Sequence, residues 1–318
     1  MRNELRGAEC AGIDINRGNE NTIQGNEVKE VSWGININRG NENTIQGNEV
    51  KNSKYDGIQI YKGNKNTVEG NEVRENKQDG IFINIGNENT IEGNKVKENG
   101  NGIFINIGNE NTVEGNEIRD SKKNGIVISG FLEPMDGWTM TPKGNENKIL
   151  RNEIRENKEY GIYIREGNEN TVEGNEVREN DMGISINEGN ENKIHWNEVR
   201  ENGEDGIYIY KGNENKIFGN GVRGNKWKGI YIDKGNENTV EGNEVRENKE
   251  GINIREGNEN TVEGNEVREN KTYGIFVNEE RGVFMNENKV SMNKRGVLVE
   301  ESARVYFTGD ITGNKGDG

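Results

Sequence analysis

Residues 251–273 read GINIREGNENTVEGNEVRENKTY, and Gly274 begins the same pattern again. On both sides of this stretch, a GI-x-I segment followed by a GNENTVEGNEVREN-like segment recurs along the chain. A fixed period of about 20 to 50 residues is the signature of a solenoid. Neighbouring units start 22 or 23 residues apart, except for one gap of 36 residues. The thirteen unit-opening glycines are Gly12, Gly34, Gly57, Gly80, Gly102, Gly125, Gly161, Gly183, Gly206, Gly229, Gly251, Gly274 and Gly296.

Without this period, the composition would predict a disordered chain. Only 28% of the residues are hydrophobic, 31% are charged, and the formal net charge is -15. Low hydrophobicity with high net charge is typical of intrinsic disorder. A solenoid needs few apolar residues, because each coil buries one thin column of side chains and stacks it on the next coil. We therefore predict a single β-helix domain over residues 1–318.

The aliphatic residues of each unit predict three short strands. In one unit they are Ile58, Ile60, Val68 and Val73. The alternation in GI-x-I is that of a strand with both Ile side chains facing inward, and NTV and NEV predict two further strands. Gly and Asn cut every unit about every five to eight residues, which excludes a helical repeat. The predicted fold is an all-β, single-stranded parallel β-helix of about thirteen coils, roughly triangular in section.

Asparagine forms columns of its own at the same period. The Asn side chain tolerates the left-handed backbone of sharp corners, and its amide can bond the Asn of the next coil. We therefore predict ladders of stacked Asn at the corners, made by Asn66, Asn89 and Asn111 and by Asn71, Asn94 and Asn116.

The N-x-I and GI-x-I pattern, in coils of this size, resembles the right-handed parallel β-helix superfamily of pectate-lyase-like proteins. It is most similar to the NosD-like and CASH-type repeats. The resemblance implies a right-handed coil, which the preference of parallel crossovers also favours. It further implies an extracellular or cell-surface location and a first sheet that faces saccharides. The family includes pectate lyases, polygalacturonases, mannuronan epimerases, phage tailspikes and non-enzymatic surface proteins, so the resemblance fixes no activity.

Two outward-facing columns differ in character. In the third strand, Glu and Arg flank the inward Val, as Glu72 and Arg74 do, which predicts a solvated ion-pair net or a face for cations or a partner. In the first strand, the outward column is largely aromatic. We call it the aromatic stripe; it consists of Gln59, Phe82, Phe104, Val127, Tyr163, Ser185, Tyr208, Tyr231, Asn253 and Phe276, with Tyr61 and Tyr210 two positions later.

An exposed aromatic stripe is typical of an interaction surface. Three interpretations stay open: a face for sugar rings, a packing face between copies of the chain, or the β-propensity of aromatic residues. An inserted loop at about 129–142, SGFLEPMDGWTMTP, leaves the end of a first strand and should lie beside the stripe, as a ligand loop or an apolar flap. The predicted glycan-binding residues are Phe82, Phe104, Phe131, Trp138, Tyr163, Tyr208, Tyr210 and Tyr231.

No motif in the sequence predicts chemistry. His195 is the only histidine and Cys10 the only cysteine, so neither a disulfide nor a metal or cofactor site is expected. We expect His195 to be an exposed surface substitution. The catalytic motifs of polygalacturonases, pectate lyases and mannuronan epimerases are absent. The acidic balance argues against nucleic-acid binding, and no segment has the length of a bilayer span or a signal peptide.

The last residues, at about 280–318, depart from the repeat. Val283, Val305 and Phe307 stand where Asn or Val would be, which predicts divergent, more apolar terminal coils. The open ends of a solenoid invite strand pairing, so end-to-end self-association or another homo-oligomer is expected unless a further segment caps them. The predicted function is a non-catalytic surface or spike scaffold that recognises polysaccharides or cell-surface glycans. The alternatives are a self-assembling filament and a polysaccharide-active lyase, hydrolase or epimerase.

Overall fold

The structure is a computed structural model that describes residues 3–7, 9–130, 144–278, 281–300 and 304–316. These residues form an all-β parallel solenoid of about thirteen coils and contain no helix, which confirms the predicted fold. Contacts divide the chain into two compact units, residues 1–170 and 171–318. In the described residues, no helix combines the length and apolarity that crossing a membrane requires.

In unit 1, residues 1–170, each coil adds a first strand, a second strand and a third strand. The third strands include β1 (Glu4–Arg6) and β4 (Glu27–Lys29), β7 (Glu49–Lys51), β10 (Glu72–Arg74), β13 (Lys95–Lys97), β16 (Glu117–Arg119) and β19 (Glu153–Arg155). The first strands are β2 (Ala11–Asn16), β5 (Trp33–Asn38), β8 (Ile58–Tyr61), β11 (Ile81–Asn84), β14 (Ile103–Asn106), β17 (Ile126–Ser129) and β20 (Tyr160–Arg165). The second strands are β3 (Thr22–Gln24), β6 (Thr44–Gln46), β9 (Thr67–Glu69), β12 (Thr90–Glu92), β15 (Thr112–Glu114) and β18 (Lys148–Leu150).

Unit 2, residues 171–318, repeats this order. Its second strands are β21 (Thr171–Glu173), β24 (Lys193–His195), β27 (Lys216–Phe218), β30 (Thr239–Glu241) and β33 (Thr261–Glu263). Its third strands are β22 (Glu176–Arg178), β25 (Glu198–Arg200), β28 (Gly221–Arg223), β31 (Glu244–Arg246) and β34 (Glu266–Arg268). Its first strands are β23 (Met182–Asn187), β26 (Ile207–Tyr210), β29 (Lys228–Asp233), β32 (Glu250–Arg255), β35 (Tyr273–Asn278) and β37 (Arg295–Val299).

The last strands of unit 2 are longer than the others. β36 (Arg281–Ser291) pairs with both β33 and β34, so one strand spans the second and third positions of its coil. β38 (Arg304–Thr312) pairs with β36, and the register shifts between Met285 and Asn288. In this coil the second and third strands therefore run together, although Glu287 keeps the left-handed corner backbone with φ 51°, and residues 281–283 read RGV where the preceding coil has NEN.

Strands of neighbouring coils pair in parallel, and equivalent residues stand in register. In unit 1, Ile81 pairs with Ile58 on one side and Ile103 on the other. All three side chains are 0% exposed. The inward Ile and Val columns therefore form the core, as the period-two pattern predicts.

Close packing explains the glycine that opens each unit. A Cβ atom on Gly80 would lie 2.6 Å from Cγ1 of Val96 and 2.6 Å from the carbonyl oxygen of Gly102. No side chain fits between the inward Val of the third strand and the backbone of the next coil. The first strand therefore starts where the backbone itself must touch the core.

The predicted asparagine ladders are confirmed. Nδ2 of Asn89 donates to Oδ1 of Asn111 at 3.0 Å and to the carbonyl oxygen of Gly63 at 3.0 Å. Oδ1 of Asn89 accepts from the backbone N and the Nδ2 of Asn66, at 2.9 and 3.0 Å. A further ladder follows the third strands, where Nδ2 of Asn76 donates to Asn99 at 2.9 Å. Each ladder ties consecutive coils through buried amides whose hydrogen bonds are satisfied.

The expectation that the ladder asparagines hold the left-handed backbone is wrong. The left-handed residues are those just before them, such as Glu88 with φ 55° and Gly93 with φ 61°. Among the described residues with positive φ, Asn52 is the one asparagine. The amide of a ladder Asn must point into the corner to reach the next coil, whereas the residue before it directs its side chain to solvent. The left-handed backbone therefore falls mostly on Glu or Gly, and at single corners on Lys65, Arg151, Trp196 or Met292.

The charged columns of the third strands form the predicted ion-pair net. In unit 2, Arg268 contacts Glu244 of the preceding coil at 2.6 Å, Glu266 at 2.9 Å and Glu269 at 2.9 Å. In unit 1, Arg74 contacts Glu49 at 3.0 Å. Single exposed pairs stabilise little, but each Arg here bridges two coils.

Candidate functional site

Unit 1 brings the first half of the aromatic stripe together. Phe82 stands in register with Phe104, and their ring centroids are 5.2 Å apart. Phe104 is in register with Val127, which is in register with Tyr163. Four consecutive first strands therefore present an apolar side chain outward. The three aromatic rings are half-buried, whereas Val127 between them is 6% exposed.

Further aromatic rings stand at the edge of this surface. Tyr160 stacks on Tyr163 with centroids 4.6 Å apart and planes 15° apart. Trp33, which begins β5, and Tyr55, which lies before β8, stack at 4.5 Å and 22°. All four rings are half-buried. These half-buried stacked pairs extend the apolar surface beside the stripe.

In unit 2, three tyrosines form the second half. Tyr208 stacks on Tyr231, in register, at 5.0 Å and 14°, and Tyr210 lies 6.3 Å from Tyr208. Tyr231 is 9% exposed, and Nζ of Lys228 lies 3.9 Å from its ring centroid. Tyr208 and Tyr210 are half-buried. The three rings therefore differ in access, with Tyr231 the most covered.

Burial raises the pKa of two of these three hydroxyls. Loss of solvent, with the charge of Asp233 nearby, raises the pKa of Tyr231 to about 12. Burial also raises the pKa of Tyr208, with Asp233 and the other tyrosines adding to the shift. A neutral phenol both donates and accepts hydrogen bonds. This patch therefore combines flat apolar faces with hydroxyl groups of mixed hydrogen-bonding character.

The inserted loop joins unit 1 beside the stripe. Phe131 and Trp138 lie outside the described residues. At its start, the backbone N of Gly130 donates to the carbonyl oxygen of Arg165 at 2.9 Å. A Cβ atom on Gly144 would lie 3.2 Å from the N of Gly130. The residues that flank the insertion therefore touch, at the end of the first strand that carries Val127.

Two carboxyl groups flank the stripe in unit 1, Asp56 buried and Asp79 half-buried, and the repeat pattern alone does not single them out. The backbone N of Asp79 donates to Oδ1 of Asp56 at 3.0 Å. Nδ2 of Asn101 donates to Oδ1 of Asp79 at 2.7 Å. Asp56 is 3% exposed, and burial, with the charge of Asp79 second, raises the pKa of Asp56 to about 7. The available signal is an Asp or Asn directly before the unit-opening Gly.

The expectation that His195 is exposed is wrong. Its side chain points outward from the second strand but is only 8% exposed. Phe218 of the next coil stacks on it at 4.5 Å and 5°, and the Trp196 ring meets its edge at 4.8 Å. Burial lowers the pKa of His195, so the imidazole is neutral. Trp196 itself is 61% exposed.

Known family models match most of this chain. The family model described as right handed beta helix region matches residues 2–133 and 134–245. The chain belongs to the right-handed β-helix family. The model of the periplasmic copper-binding protein NosD matches residues 197–318. None of the curated proteins compared matches this β-helix chain.

Solved structures share the fold at low sequence identity. The A-module of the Azotobacter vinelandii mannuronan C-5 epimerase AlgE6 is 13% identical, covers 96% of this chain and 89% of its own, with a TM-score of 0.63. The periplasmic alginate epimerase AlgG is 18% identical, over 85% and 76%, with a TM-score of 0.55. The active domain of bacteriophage CBA120 tailspike protein 2 is 13% identical, over 78% and 43%, with a TM-score of 0.56. These likenesses show the fold of the β-helix.

The match to a copper-binding family raises the question of a metal centre. Within the described ranges, no group of three or more His, Cys, Asp or Glu side chains is placed to hold a metal ion. The one histidine is packed between aromatic rings, and Cys10 is exposed without a disulfide partner in this part of the chain. The described side chains do not fit a copper centre.

Proposed function

We propose that this β-helix binds glycans on the aromatic stripe and does not change them chemically. The observation that carries the proposal is the run of Phe82, Phe104, Val127 and Tyr163 in register on four first strands. The CH faces of sugar rings are apolar and flat, so they stack on aromatic side chains. Parallel strands repeat about every 4.8 Å, which offers a sugar chain several such contacts.

The tyrosines of unit 2 supply the second requirement of a sugar site. Sugars carry many hydroxyl groups, and a site must pair them while covering the ring. Tyr208 and Tyr210 are half-buried, with phenols that donate and accept. We propose that the part of the aromatic stripe in each unit is a binding surface by itself. Phe131 and Trp138 of the inserted loop are proposed as further glycan-binding residues.

The printed names of the structural relatives agree with a glycan partner. Two are epimerases of mannuronan or alginate, and one is a phage tailspike. Two matches are named as periplasmic proteins. By analogy we place this protein outside the cytoplasm, as a surface or spike scaffold.

An enzyme acting on polysaccharides is the second candidate, and Asp56 favours it. Glycoside hydrolysis uses a carboxyl group of raised pKa as the acid, and the pKa of Asp56 is about 7. A filament is the third candidate, because β38 carries exposed Tyr306 and Phe307, 62% and 41%. Binding without catalysis is preferred, because Asp56 is 3% exposed and its Oδ1 is held by the Asp79 backbone.

A glycan array probed with the purified 1–318 chain tests the proposal. The matched variant replaces Phe104, Tyr163 and Tyr208 with Ala, and circular dichroism verifies its fold. We expect wild-type binding to at least one glycan, its loss in the variant, and no shortening of the bound polysaccharide. Equal binding by the variant contradicts the stripe. Shortened product that is absent with Asp56→Asn supports the enzyme, and silence on the array with polymers in sedimentation supports the filament.

A further inference from the structure

One coil of unit 2 departs from the charge pattern of the third strands. In most third strands, Arg stands between two carboxylates, as Arg246 contacts Glu244 at 2.9 Å and also contacts Glu247. Residues 221–224 read GVRG, and no other unit of the sequence has Gly at both of these positions. Arg223 therefore lacks both carboxylate partners of its own coil.

The guanidinium of Arg223 is left short of acceptors. Its one ion pair among the described residues is with Glu198 of the preceding coil, at 4.0 Å. Its Nε is buried and has no hydrogen-bond acceptor in the described part of the chain. The Arg223 side chain is 41% exposed, against 22% for Arg200 and 21% for Arg246. The Arg223 guanidinium is thus more exposed than its neighbours and has fewer acceptors, and it keeps the planar donor geometry that a carboxylate matches.

The missing side chain of Gly221 opens a cleft around Arg223. The cleft has a volume of about 330 Å³, within the range of small-ligand sites. A Cβ atom on Gly221 would lie 2.6 Å from Oε1 of Glu198, so the Glu198 carboxylate lies against the bare backbone of Gly221, and a side chain at this position would displace it within the cleft. The cleft is lined by Glu176, Glu198, Arg200, Arg223, Glu244 and Arg246.

Trp196 stands at the corner that leads into β25, whose Glu198 and Arg200 line the cleft. Most coils have Gly at this corner, and Trp196 takes the same left-handed backbone with φ 55°. Its indole lies over Gly219, two residues before Gly221, with Cδ1 only 2.7 Å from where a Cβ atom would be. Arg151 takes the same backbone at the equivalent corner, with φ 52°, so the corner accepts a side chain, and at Trp196 that side chain is aromatic. The ring is nevertheless 61% exposed, while His195 and Phe218 brace its edge.

We propose that Arg223 and Trp196 form a binding site for a sugar that bears a carboxylate. Arg223 pairs with the carboxylate through the two-pronged contact that its own coil no longer supplies, and Trp196 stacks on the sugar ring. The formal charge of -15 repels long polyanions, so the site suits a short acidic saccharide or a chain end. The site lies on the second and third strands, apart from the aromatic stripe. The proposal therefore holds even if the stripe binds no glycan.

The test uses the full chain labelled with 15N, and a trisaccharide of galacturonate as the probe. The indole N–H signal of Trp196, assigned by its loss in Trp196→Gly, reports binding. The same trisaccharide with its carboxyls methyl-esterified is the matched ligand. We expect the acid to shift the signal and the ester to bind about tenfold more weakly or worse, because charge-assisted hydrogen bonds are lost.

Two variants locate the site on the protein. Gly221→Glu restores the residue found at this position in the neighbouring coils, so it should fold as they do and fill the cleft. Arg223→Gln removes the charge. Both should lower affinity about tenfold or more, whereas Arg74→Gln, which removes an arginine of unit 1 that has carboxylate partners, and the triple stripe variant should bind as wild type does.

Three outcomes would overturn the proposal. They are an unshifted Trp196 signal with the acid, equal affinity for acid and ester, and full affinity in a folded Gly221→Glu protein. Tighter binding of a sulfated trisaccharide than of the galacturonate would overturn the assignment to a carboxylate. Failure of the stripe on the glycan array leaves all of these readouts unchanged, so the two proposals fail separately.

Discussion

The backbone amide of Asp79 donates a 3.0 Å hydrogen bond to Oδ1 of Asp56, one coil away. Two carboxyl groups thus stand in a column where later coils place Asn101 and Asn124. An amide in this column can donate onward as well as accept, whereas a carboxylate can only accept. The column should therefore be more stable with Asn at the Asp56 position.

The expected result is a stability that depends on pH. The pKa of Asp56 is about 7 in the folded chain, against 3.8 for an aspartate side chain free in water. Between these values the folded state holds a proton that the unfolded state has released, so stability falls as the pH rises. Asp56→Asn should remove its share of this fall and be more stable at about pH 8 by at most ~4 kcal/mol. Urea unfolding across the range measures it.

The control for this prediction is Asp14→Asn, at an exposed first-strand position. It should follow the pH dependence of the wild type. A fall in stability that is the same in Asp56→Asn and in the wild type would show that Asp56 is ionised throughout.

The ladder asparagines should differ sharply from their exposed neighbours. Asn89 takes part in four side-chain hydrogen bonds and is 0% exposed. Asn89→Ala should cost about 3 kcal/mol or more, because it leaves buried groups without partners. Asn87 is exposed, and its Oδ1 accepts from the backbone of Asn109, so Asn87→Ala should cost about 1 kcal/mol or less. Hydrogen exchange in the two proteins measures both costs, and similar losses would contradict the ladder's role.

Glycines of one coil should divide into two classes. A Cβ atom on Gly80 would meet Val96 and the Gly102 carbonyl at 2.6 Å, whereas one on Gly93 would meet nothing within 4 Å. Gly93→Ala should cost only the left-handed backbone, about 1 kcal/mol. Gly80→Ala should cost several-fold more, since the coils must move apart. Chemical denaturation midpoints test the order, and an equal or reversed order would refute the close-packing argument.

Tyrosines of the stripe should divide by access. Tyr231 is 9% exposed, so Tyr231→Ala should cost stability, about 3 kcal/mol. Tyr163→Ala, at a half-buried ring, should cost about 1 kcal/mol and lower the affinity for any glycan found on the array about tenfold. Thermal unfolding and titration with that glycan measure the two effects. A Tyr163→Ala protein of unchanged affinity would place the binding surface elsewhere.

Most of the fold could be predicted, because every structural role recurs with the period. The inward position of Ile58 and the ladder of Asn89 follow from alternation and spacing alone. The prediction that the ladder asparagines have the left-handed backbone was wrong. Composition indicates which residue types occur in a turn, but it does not indicate which of them points its side chain inward. Glu88 shows that a charged residue accepts this backbone when its neighbour must reach the ladder.

The site was less predictable, because it depends on neighbours one coil away. His195 is covered by Phe218, which lies 23 positions later in the sequence and in contact across the strands. The stripe was visible because its residues repeat. Arg223 and Trp196 are important because their coils differ from the repeat. The recurring pattern therefore does not predict them, although the differences of single coils from the consensus sequence do.

The inserted loop shows how this molecule can grow. Asn111 and Asn147 are 36 residues apart, yet they bond as Asn89 and Asn111 do across 22. Gly130 and Gly144 meet where the extra segment leaves and returns. Closing a longer loop costs little more than closing a short one, so a foreign peptide or whole domain could be spliced between these glycines. The coil is therefore a scaffold in which inserted segments can change, by evolution or by design, while the strand register is preserved.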